Sequence, residues 1–376
     1  MLRTAVSTLA LMMATVPAMA ADWDEWSDAD MSFRGSQWVE PKDWTELGDG
    51  TDSLGFEFGT RYWYSLGAHS SSVGGLDKTT EDAAHFVEGH LRIEDARTRT
   101  YAKGLAGYAM AVRGSYDTGL RTGETLDGQI GYIGADMGYM AFGSTEPTEG
   151  FGPLLGYLYW NDSPRTTREG YTTNTAVTDW SPDTGQWSLG FDSQDDNMDI
   201  HALRLGVQTR AKLGEMIDVT AELAAVPYAH VSGTLGSHSS NSGPASYPVC
   251  NVTPPDSCPT YSFQSSPTTF SGWGYGAMGE LMVGLHPTEN LTFRLGGRAW
   301  YLQGTHDATY TRLSVTPPQL QAQVPVYADD GVTIEGYRDP DPLYGAPSSG
   351  TEDFIQTSNP FSLMRYGLLA ELTYRF

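Results

Sequence analysis

The last strand-like segment of the chain, residues 361–376, alternates between apolar and polar side chains and ends on an aromatic residue. Successive side chains of a β-strand point to opposite faces, so alternation separates two surfaces. One face carries Tyr374, Leu372, Ala370, Leu368 and Tyr366, and the other carries Arg375, Thr373, Glu371, Gly367 and Arg365. A strand of a soluble sandwich also alternates, but an apolar outer face opposite charged residues is typical of a strand that crosses a bilayer around a polar lumen. Phe376, Tyr374 and Leu372 form the expected membrane-insertion signal.

The N-terminal segment predicts export. Residues 1–20 carry a positive charge at Arg3, a short apolar stretch and a small-residue ending, Ala18-Met19-Ala20. These are the three parts of a secretory signal peptide, with cleavage expected before Ala21. No later stretch approaches the roughly 18 apolar residues of a membrane-spanning helix. The sequence therefore predicts a protein of the Gram-negative outer membrane, exported first to the periplasm.

Residues 21–53 are acidic, contain Trp23, Trp26, Trp38 and Trp44, and lack alternation. We interpret this segment as a periplasmic extension. Its tryptophans would lie at the membrane interface or plug the periplasmic mouth of the barrel, and a disordered tail is the alternative. The remaining residues, 54–376, form the expected barrel.

Charge and cysteine content exclude several functions. A net charge of −24 argues against nucleic-acid binding, because phosphate contacts need basic side chains. Acidic loops explain this charge, and they favour solubility or weak binding of cations. Cys250 and Cys258 lie in a Pro- and Ser-rich segment of an exported chain, so a disulfide is expected. A metal site there is not expected, because no further ligand follows at a suitable spacing.

Alternation recurs in about ten segments, which predicts an all-β, antiparallel, transmembrane barrel of about ten strands. The predicted connections alternate in length. Short turns fall near residues 95–99, 143–150, 213–216 and 286–290, and longer loops span residues 67–83, 115–125, 161–197, 232–270 and 305–360. Five outer loops and four short turns suit an even-stranded barrel with both termini in the periplasm.

A ten-stranded barrel is narrow, so inward-facing side chains should fill most of it. The predicted inward charges form a candidate lumen network: Glu57, Arg61, Glu88, Arg92, Arg204, Arg210, Glu222, Glu280, Arg294, Arg298, Arg365 and Glu371. Buried charges are tolerated only when paired, which favours a structural network. A narrow, porin-like path for ions or small solutes is the alternative.

Two patterns invite a chemical interpretation. Residues 274–279 match G-x-G-x-x-G, but they lie within a strand pattern with no following helix, so the glycines are expected to ease strand packing. Asp195, Asp196, Asp199 and His201 crowd the start of one strand, as at a catalytic or divalent-ion site, although a solvated loop edge gives the same pattern. No compact catalytic motif is present, and no cofactor or metal is expected.

Residues 58–65 (FGTRYWYS), 157–160 (YLYW) and 366–376, together with the strand and loop counts, resemble omptin-like outer-membrane barrels over residues 54–376. Omptins are proteases in which an Asp pair in the second outer loop and an Asp-x-His in the fourth activate water. The resemblance would place catalytic roles at Asp117 and His230. However, Asp117 lacks an acidic partner, and Tyr228 stands where the family has Asp. Asp199-Ile200-His201 has the spacing but comes too early in the chain.

The sequence therefore favours a non-proteolytic outer-membrane barrel with a surface-interaction or envelope role. An omptin-like protease or hydrolase is a further alternative. The expected partners are membrane lipid, lipopolysaccharide and, during insertion, the barrel-assembly machinery. The oligomeric state is not predicted.

Overall fold

The structure is a computed structural model that describes residues 54–376, except 118, 120–121, 126–127, 144–148, 165–169, 173–179, 185, 188–189, 194–195, 215, 237–258, 317–320, 342–343 and 346. The predicted signal peptide, the segment 21–53, Asp195 and the predicted disulfide between Cys250 and Cys258 lie outside the described residues. Within the described ranges, no helix is long and apolar enough to cross a membrane.

Ten antiparallel strands form one closed sheet. They are β1 (Leu54–Val73), β2 (Leu76–Asp95), β3 (Thr100–Asp117), β4 (Gly128–Tyr139), β5 (Gly150–Pro164), β6 (Asn197–Lys212), β7 (Ile217–Thr234), β8 (Thr269–Leu285), β9 (Leu291–Thr316) and β10 (Ser348–Arg375). Each strand pairs with the next along the chain, and β10 pairs with β1, from Glu57 opposite Arg375 to Ser71 opposite Phe361. The sheet therefore has no open edge around the ring.

The two faces of the sheet follow the predicted alternation. On β1 the side chains that point outward from the barrel are apolar up to Leu66, except Thr60, and are polar or small beyond it, at Ala68, Ser70 and Ser72. The outward-facing large apolar side chains of the other strands are likewise exposed, for example Leu91 at 46% and Leu372 at 42%. This belt has the composition of a lipid-facing surface.

The strands extend well beyond this apolar belt on the side of the longer connections. The loop predicted for residues 67–83 is wrong: β1 and β2 continue as a hairpin that turns at Gly74-Gly75, both at positive φ. Likewise, β9 and β10 remain paired from Thr305 opposite Pro360 to Thr316 opposite Ser348, within the predicted fifth loop. The backbone keeps pairing after the apolar alternation ends, so side-chain hydropathy set the predicted strand ends too early.

β-Bulges change which face a side chain occupies. Between Val226 and Ala229, β7 contains two residues, Pro227 and Tyr228, that interrupt its register with β8. Proline has no amide hydrogen to donate, so it is accommodated at such an irregularity. Before the bulge, Glu222 faces the lumen. After the bulge, Ala229 faces the lumen and His230 faces outward. An inserted residue thus inverts the alternation for the rest of the strand.

Among the described residues, eight shorter strands lie in the connections between the ten strands of the ring: Thr122–Thr125, Gly170–Thr172, Trp180–Ser181, Gln186–Trp187, Phe191–Ser193, Tyr261–Gln264, Val324–Tyr327 and Ile334–Arg338. Tyr261–Gln264 adds to β9, where Phe263 packs with Leu313 and Val315. We call the paired segments 305–316 and 348–360 of β9 and β10 the outer ribbon.

Candidate functional site

The interior of the barrel contains a dense ion-pair network near the turns that join the strands on the short-connection side. Arg294 donates to Glu371 (2.6 Å), Asp218 (3.0 Å) and Glu57 (3.2 Å). Arg210 also reaches Glu57, at 3.3 Å. Arg92 pairs with Glu94 on its own strand, at 2.6 Å. Each guanidinium thus contacts a carboxylate, and most of the carboxylates contact more than one cation.

The next layer of the network crosses the lumen. Arg298 donates to Glu88 (2.8 Å), Glu280 (2.7 Å) and the Tyr132 hydroxyl (3.1 Å). Arg61 pairs with Glu280 at 3.2 Å and makes a close ion pair with Glu371. The contact between Arg298 and Tyr132 joins β9 and β4, which lie on opposite walls of the ten-stranded ring.

A third group of ion pairs lies around Arg204. This residue binds Asp136 at 2.8 Å and makes a close contact with Glu222, which also accepts from Lys103 at 3.2 Å. All twelve predicted inward charges therefore face the interior and have ion-pair partners. Because an unpaired buried charge costs several kcal/mol, complete pairing is what keeps so polar a lumen stable.

Sequence reasoning missed several members of the network: Asp82, Lys103, Asp136, Asp162 and Asp218. Asp136 and Asp218 lie in segments that were predicted as strands, and each has the parity of its strand's inward side chains, so alternation alone identifies them. Asp82 and Asp162 lie within the predicted loops 67–83 and 161–197, for which alternation assigns no face.

An aromatic layer closes the lumen above the ion pairs. Its members are Trp63, Phe86, Tyr132, Trp160 and Trp300, each at most 5% exposed. The rings pack directly: the Tyr132 and Trp160 centroids are 4.8 Å apart, and those of Trp160 and Trp300 are 4.6 Å apart. Guanidinium groups lie on two sides of the layer, with Arg298 5.0 Å from the Trp63 ring and Arg365 5.7 Å from Trp160, within cation–π range.

Above the aromatic layer, Arg365 is buried and binds Asp82 through two hydrogen bonds of 2.8 Å, with Asp162 at 3.7 Å. Farther out, Lys78 donates to Asp196 (2.5 Å) and to the Leu235 carbonyl (2.8 Å). This level lies beyond the apolar belt but is still enclosed by the extended strands.

Two histidines share this outer level. Burial lowers the pKa of His69 from 6.5 to about 4, although Asp196 opposes the shift, and burial also lowers the pKa of His306. The His306 Nε2 lies 3.4 Å from the Ser71 hydroxyl. Both imidazoles are therefore neutral at pH 7.

Two cavities lined by described residues of the lumen are small. One of about 50 Å³ lies between the aromatic layer and the ion pairs of Arg204 and Arg298, and another of about 40 Å³ is lined by residues that include Glu57, Arg61 and Arg294. Such volumes hold a few water molecules each. Among the described residues, the lumen is thus filled by side chains.

Glu57, His90 and Glu371 place possible metal-binding atoms within 4.8 Å of one another. The arginines argue against a cation there. Glu57 is bound by Arg210 and Arg294, and Glu371 is bound by Arg294 and Arg61. A metal ion would have to displace these fixed positive charges, so the donor set suits an ion-pair network better than a cation.

The candidate catalytic residues do not form a common site. Asp117 accepts a hydrogen bond from the amide of Gly119 (2.8 Å), as in a local turn. His230 and His201 are neighbours on the outside of the wall, with ring centroids 6.4 Å apart. The Nδ1 atom of His201 lies 2.6 Å from the Tyr157 hydroxyl, and no candidate carboxylate lies between the two rings among the contacts of the described residues.

The acidic cluster predicted at the start of β6 divides between the two faces of the wall. Asp196 points inward to Lys78. Asp199 points outward and accepts from the Tyr159 hydroxyl (2.7 Å) and the Asn161 amide (2.9 Å). Asp196, Asp199 and His201 therefore do not converge on one ion or substrate.

No protein-family model matches the chain, and no curated protein matches it in sequence. Among solved structures, it is similar to the outer membrane protease OmpT from Escherichia coli, with a TM-score of 0.51 and 9% identity, covering 86% of this chain and 97% of that one. The translocator domain of the autotransporter NalP from Neisseria meningitidis matches with a TM-score of 0.33 and 8% identity, over 88% of this chain and 90% of that one. A Pseudomonas aeruginosa FadL homologue matches with a TM-score of 0.27 and 9% identity, over 86% of this chain and 90% of that one.

The fold is therefore that of an outer-membrane β-barrel. Within that class it is the ten-stranded, omptin-like form, as the sequence predicted. At 9% identity the likeness extends to the fold alone.

Proposed function

We propose that the chain is a bacterial outer-membrane barrel that neither conducts nor cleaves, and that it anchors an extracellular β-structure for contact with a partner at the cell surface. The membrane-spanning ring serves as a rigid support. Its apolar belt suits membrane lipid, and the long connections carry the surface that a partner meets.

The filled lumen is the observation that carries this proposal. Aromatic rings close the interior at one level, ion pairs fill the level below, and the cavities between them are about 50 and 40 Å³. A continuous path for solutes would require several of these side chains to move together. Moving Arg298 alone would break its contacts with Glu88 and Glu280.

The positions of the histidines support the absence of proteolysis. A general base must lie within hydrogen-bond reach of the water it activates and is usually oriented by a carboxylate. His230 has neither Asp117 nor Asp199 among its contacts, and it faces outward. The arrangement required by omptin-type chemistry is thus not assembled from these candidates.

Planar-bilayer recording tests the proposal. The protein is purified, and its folded state is verified by a gel band that shifts on boiling. We expect insertion without discrete conductance steps. The control variant Trp160→Ala/Trp300→Ala removes two rings of the aromatic layer and should show steps or increased leak. Discrete steps from the unaltered protein that change on Arg298→Ala or Glu280→Ala would overturn the proposal.

A peptidase assay tests the proposal that the protein does not cleave peptides. Folded protein in lipopolysaccharide-containing micelles is incubated with fluorogenic dibasic peptides. We expect the same background release from the wild type and from His230→Ala. Turnover that is present in the wild type and lost in the variant would establish a hydrolase instead.

A further inference from the structure

Apart from Ile355 on the outer ribbon, the exposed large apolar side chains of the described residues fall into two groups. One group forms the belt around the ring and the adjoining turns. The second group lies in residues 324–337, within the connection between β9 and β10: Val324, Val326, Tyr327, Val332, Ile334 and Tyr337, between 38% and 79% exposed. Lipid accounts for the belt but not for a hairpin inserted beyond the outer ribbon, because β9 continues for about 35 Å of strand past Thr305 before this segment begins.

This hairpin, which we call the outer hairpin, consists of Val324–Tyr327 and Ile334–Arg338. Its register places Pro325 opposite Tyr337 and Tyr327 opposite Ile334 on one face, with Val326 opposite Gly336 on the other. Both faces thus expose apolar side chains. A two-stranded sheet with no covered face is marginally stable in water, so it gains from a partner that covers it.

The backbone of the outer hairpin also remains available. Among the described residues, its two strands pair only with each other, so both outer edges offer unpaired amide and carbonyl groups. Such an edge accepts a further strand from an extended peptide, with main-chain hydrogen bonds providing affinity and side chains providing selectivity.

Charge determines which extended peptide fits. Residues 305–360 contain eight Asp or Glu and two Arg. Asp329, Asp330, Glu335, Asp339 and Asp341 lie in or beside the outer hairpin, and Arg338 is the nearby cation. A second copy of this hairpin would bring like charges together, and an anionic lipid headgroup would be repelled in the same way.

We propose that the outer hairpin binds an extended segment of a partner protein in which apolar residues alternate with Lys or Arg. The partner strand adds to one hairpin edge, its apolar side chains cover the Val326 or Tyr337 face, and its cations meet the surrounding carboxylates. This inference rests on the proposed surface-contact function and names the chemistry of the partner.

Fluorescence anisotropy on the full folded protein in neutral detergent tests the inference. The probes are labelled peptides of about ten residues that alternate Lys with Val, Lys with Ser, or Glu with Val. We expect the Lys–Val peptide to bind at least about tenfold more tightly than the other two. The variant Tyr327→Ser/Val332→Ser/Tyr337→Ser keeps every charge and should lower Lys–Val affinity by about tenfold.

Ile355→Ser is the matched control, because Ile355 is 66% exposed on the outer ribbon but lies outside the hairpin. It should leave Lys–Val affinity unchanged, and the boiling-dependent gel shift should be intact in all variants. Equal binding of Lys–Val and Lys–Ser, or no loss in the triple variant, would overturn the inference. A dimer seen by light scattering without peptide and abolished by the triple variant would also overturn it, in favour of a second copy.

The two proposals fail in different ways. If the bilayer shows no conductance and no peptide binds selectively, the proposal of a non-conducting barrel stands and the proposal of a Lys- or Arg-containing partner is wrong. Discrete conductance removes the proposed function, whatever the peptides do.

Discussion

The lumen and the outer ribbon use charged residues in opposite ways. In the lumen, Arg294 contacts three carboxylates and almost no solvent reaches the pairs. In the ribbon and its hairpin, the carboxylates outnumber the cations and stay in water; Asp330, for example, bonds only to its own turn. Pairing is obligatory where burial is complete, and it is optional where water solvates the charge. The interior therefore holds the barrel together, and the exterior is left free to bind.

The largest test of this contrast removes a single guanidinium from each region. Arg298→Ala leaves Glu88 and Glu280 without their principal cation inside the barrel, and we expect a loss of about 3–5 kcal/mol in the free energy of unfolding. Guanidinium-induced unfolding in micelles, followed by the gel shift, measures it.

The matched change is Arg312→Ala, whose guanidinium lies 3.9 Å from the Phe354 ring in the outer ribbon. Its loss should cost about 1 kcal/mol or less. Equal losses for the two variants would refute the contrast.

The aromatic layer provides a second, smaller test. Trp160→Phe removes part of a ring that packs on Tyr132 and Trp300, so the unfolding free energy should fall by about 1–3 kcal/mol. Trp273→Phe changes a ring on the outside of the wall that is 52% exposed, and it should alter stability by about 0.5 kcal/mol or less. The same unfolding assay applies, and a neutral Trp160 variant would show that the layer is loosely packed.

Acid should loosen the outer level of the lumen. The pKa of His69 is about 4 when folded against an ordinary value of 6.5, so between these values the opened chain binds more protons than the folded one. Stability is therefore unaffected above pH 6.5 and falls as the pH drops, by up to about 2 kcal/mol at pH 5.

Hydrogen exchange of the β1–β2 hairpin at pH 7 and pH 5, corrected for intrinsic rates, measures this loss. In His69→Gln the opening free energy should no longer depend on pH through this group. An identical pH response in the variant would assign the effect elsewhere, for example to His306.

The smallest effect concerns the turn of the outer hairpin. Asp330 accepts from the amides of Val332 (3.0 Å) and Thr333 (2.8 Å) and from the Thr333 hydroxyl (2.5 Å), which lowers its pKa from 3.8 to about 2. The stabilising bonds are fully present above pH 3.8 and are lost as the pH falls through about 2. Asp330→Ala should speed amide exchange at Val332 and Thr333 while leaving the barrel transition unchanged; slowed or unaltered exchange would contradict this.

Alternation predicted the ten strands and the inward position of the twelve charged residues because the pleat assigns each side chain to a face. Trp63 is two residues from Arg61 and therefore shares its inward face. Alternation did not indicate that five aromatic residues from separate strands meet at one level, because the relative stagger of neighbouring strands is not encoded in a single strand's pattern.

The errors also have physical causes. The sequence did not assign Asp82 and Asp162 to the lumen. The alternation of apolar and polar side chains ends with the apolar belt, whereas the hydrogen-bonded pairing of the strands continues beyond it. The outward position of His230 depends on the bulge at Pro227 and Tyr228, and the proline was the available signal. The outer hairpin was absorbed into a predicted loop, although Val324–Tyr327 and Ile334–Arg338 carry strand-forming residues around an Asp-Gly turn.

The seam between β1 and β10 joins residues about three hundred positions apart in the chain, and charged groups bridge it at several heights. Arg61 of β1 meets Glu371 of β10. Asp82 and Glu94 of β2 reach past β1 to Arg365 and Arg375 of β10. A closure misaligned by two residues would keep apolar side chains outward yet leave all three bridges without their partners. Ion pairing therefore stabilises the observed register, which the apolar outer face alone does not distinguish from a register displaced by two residues.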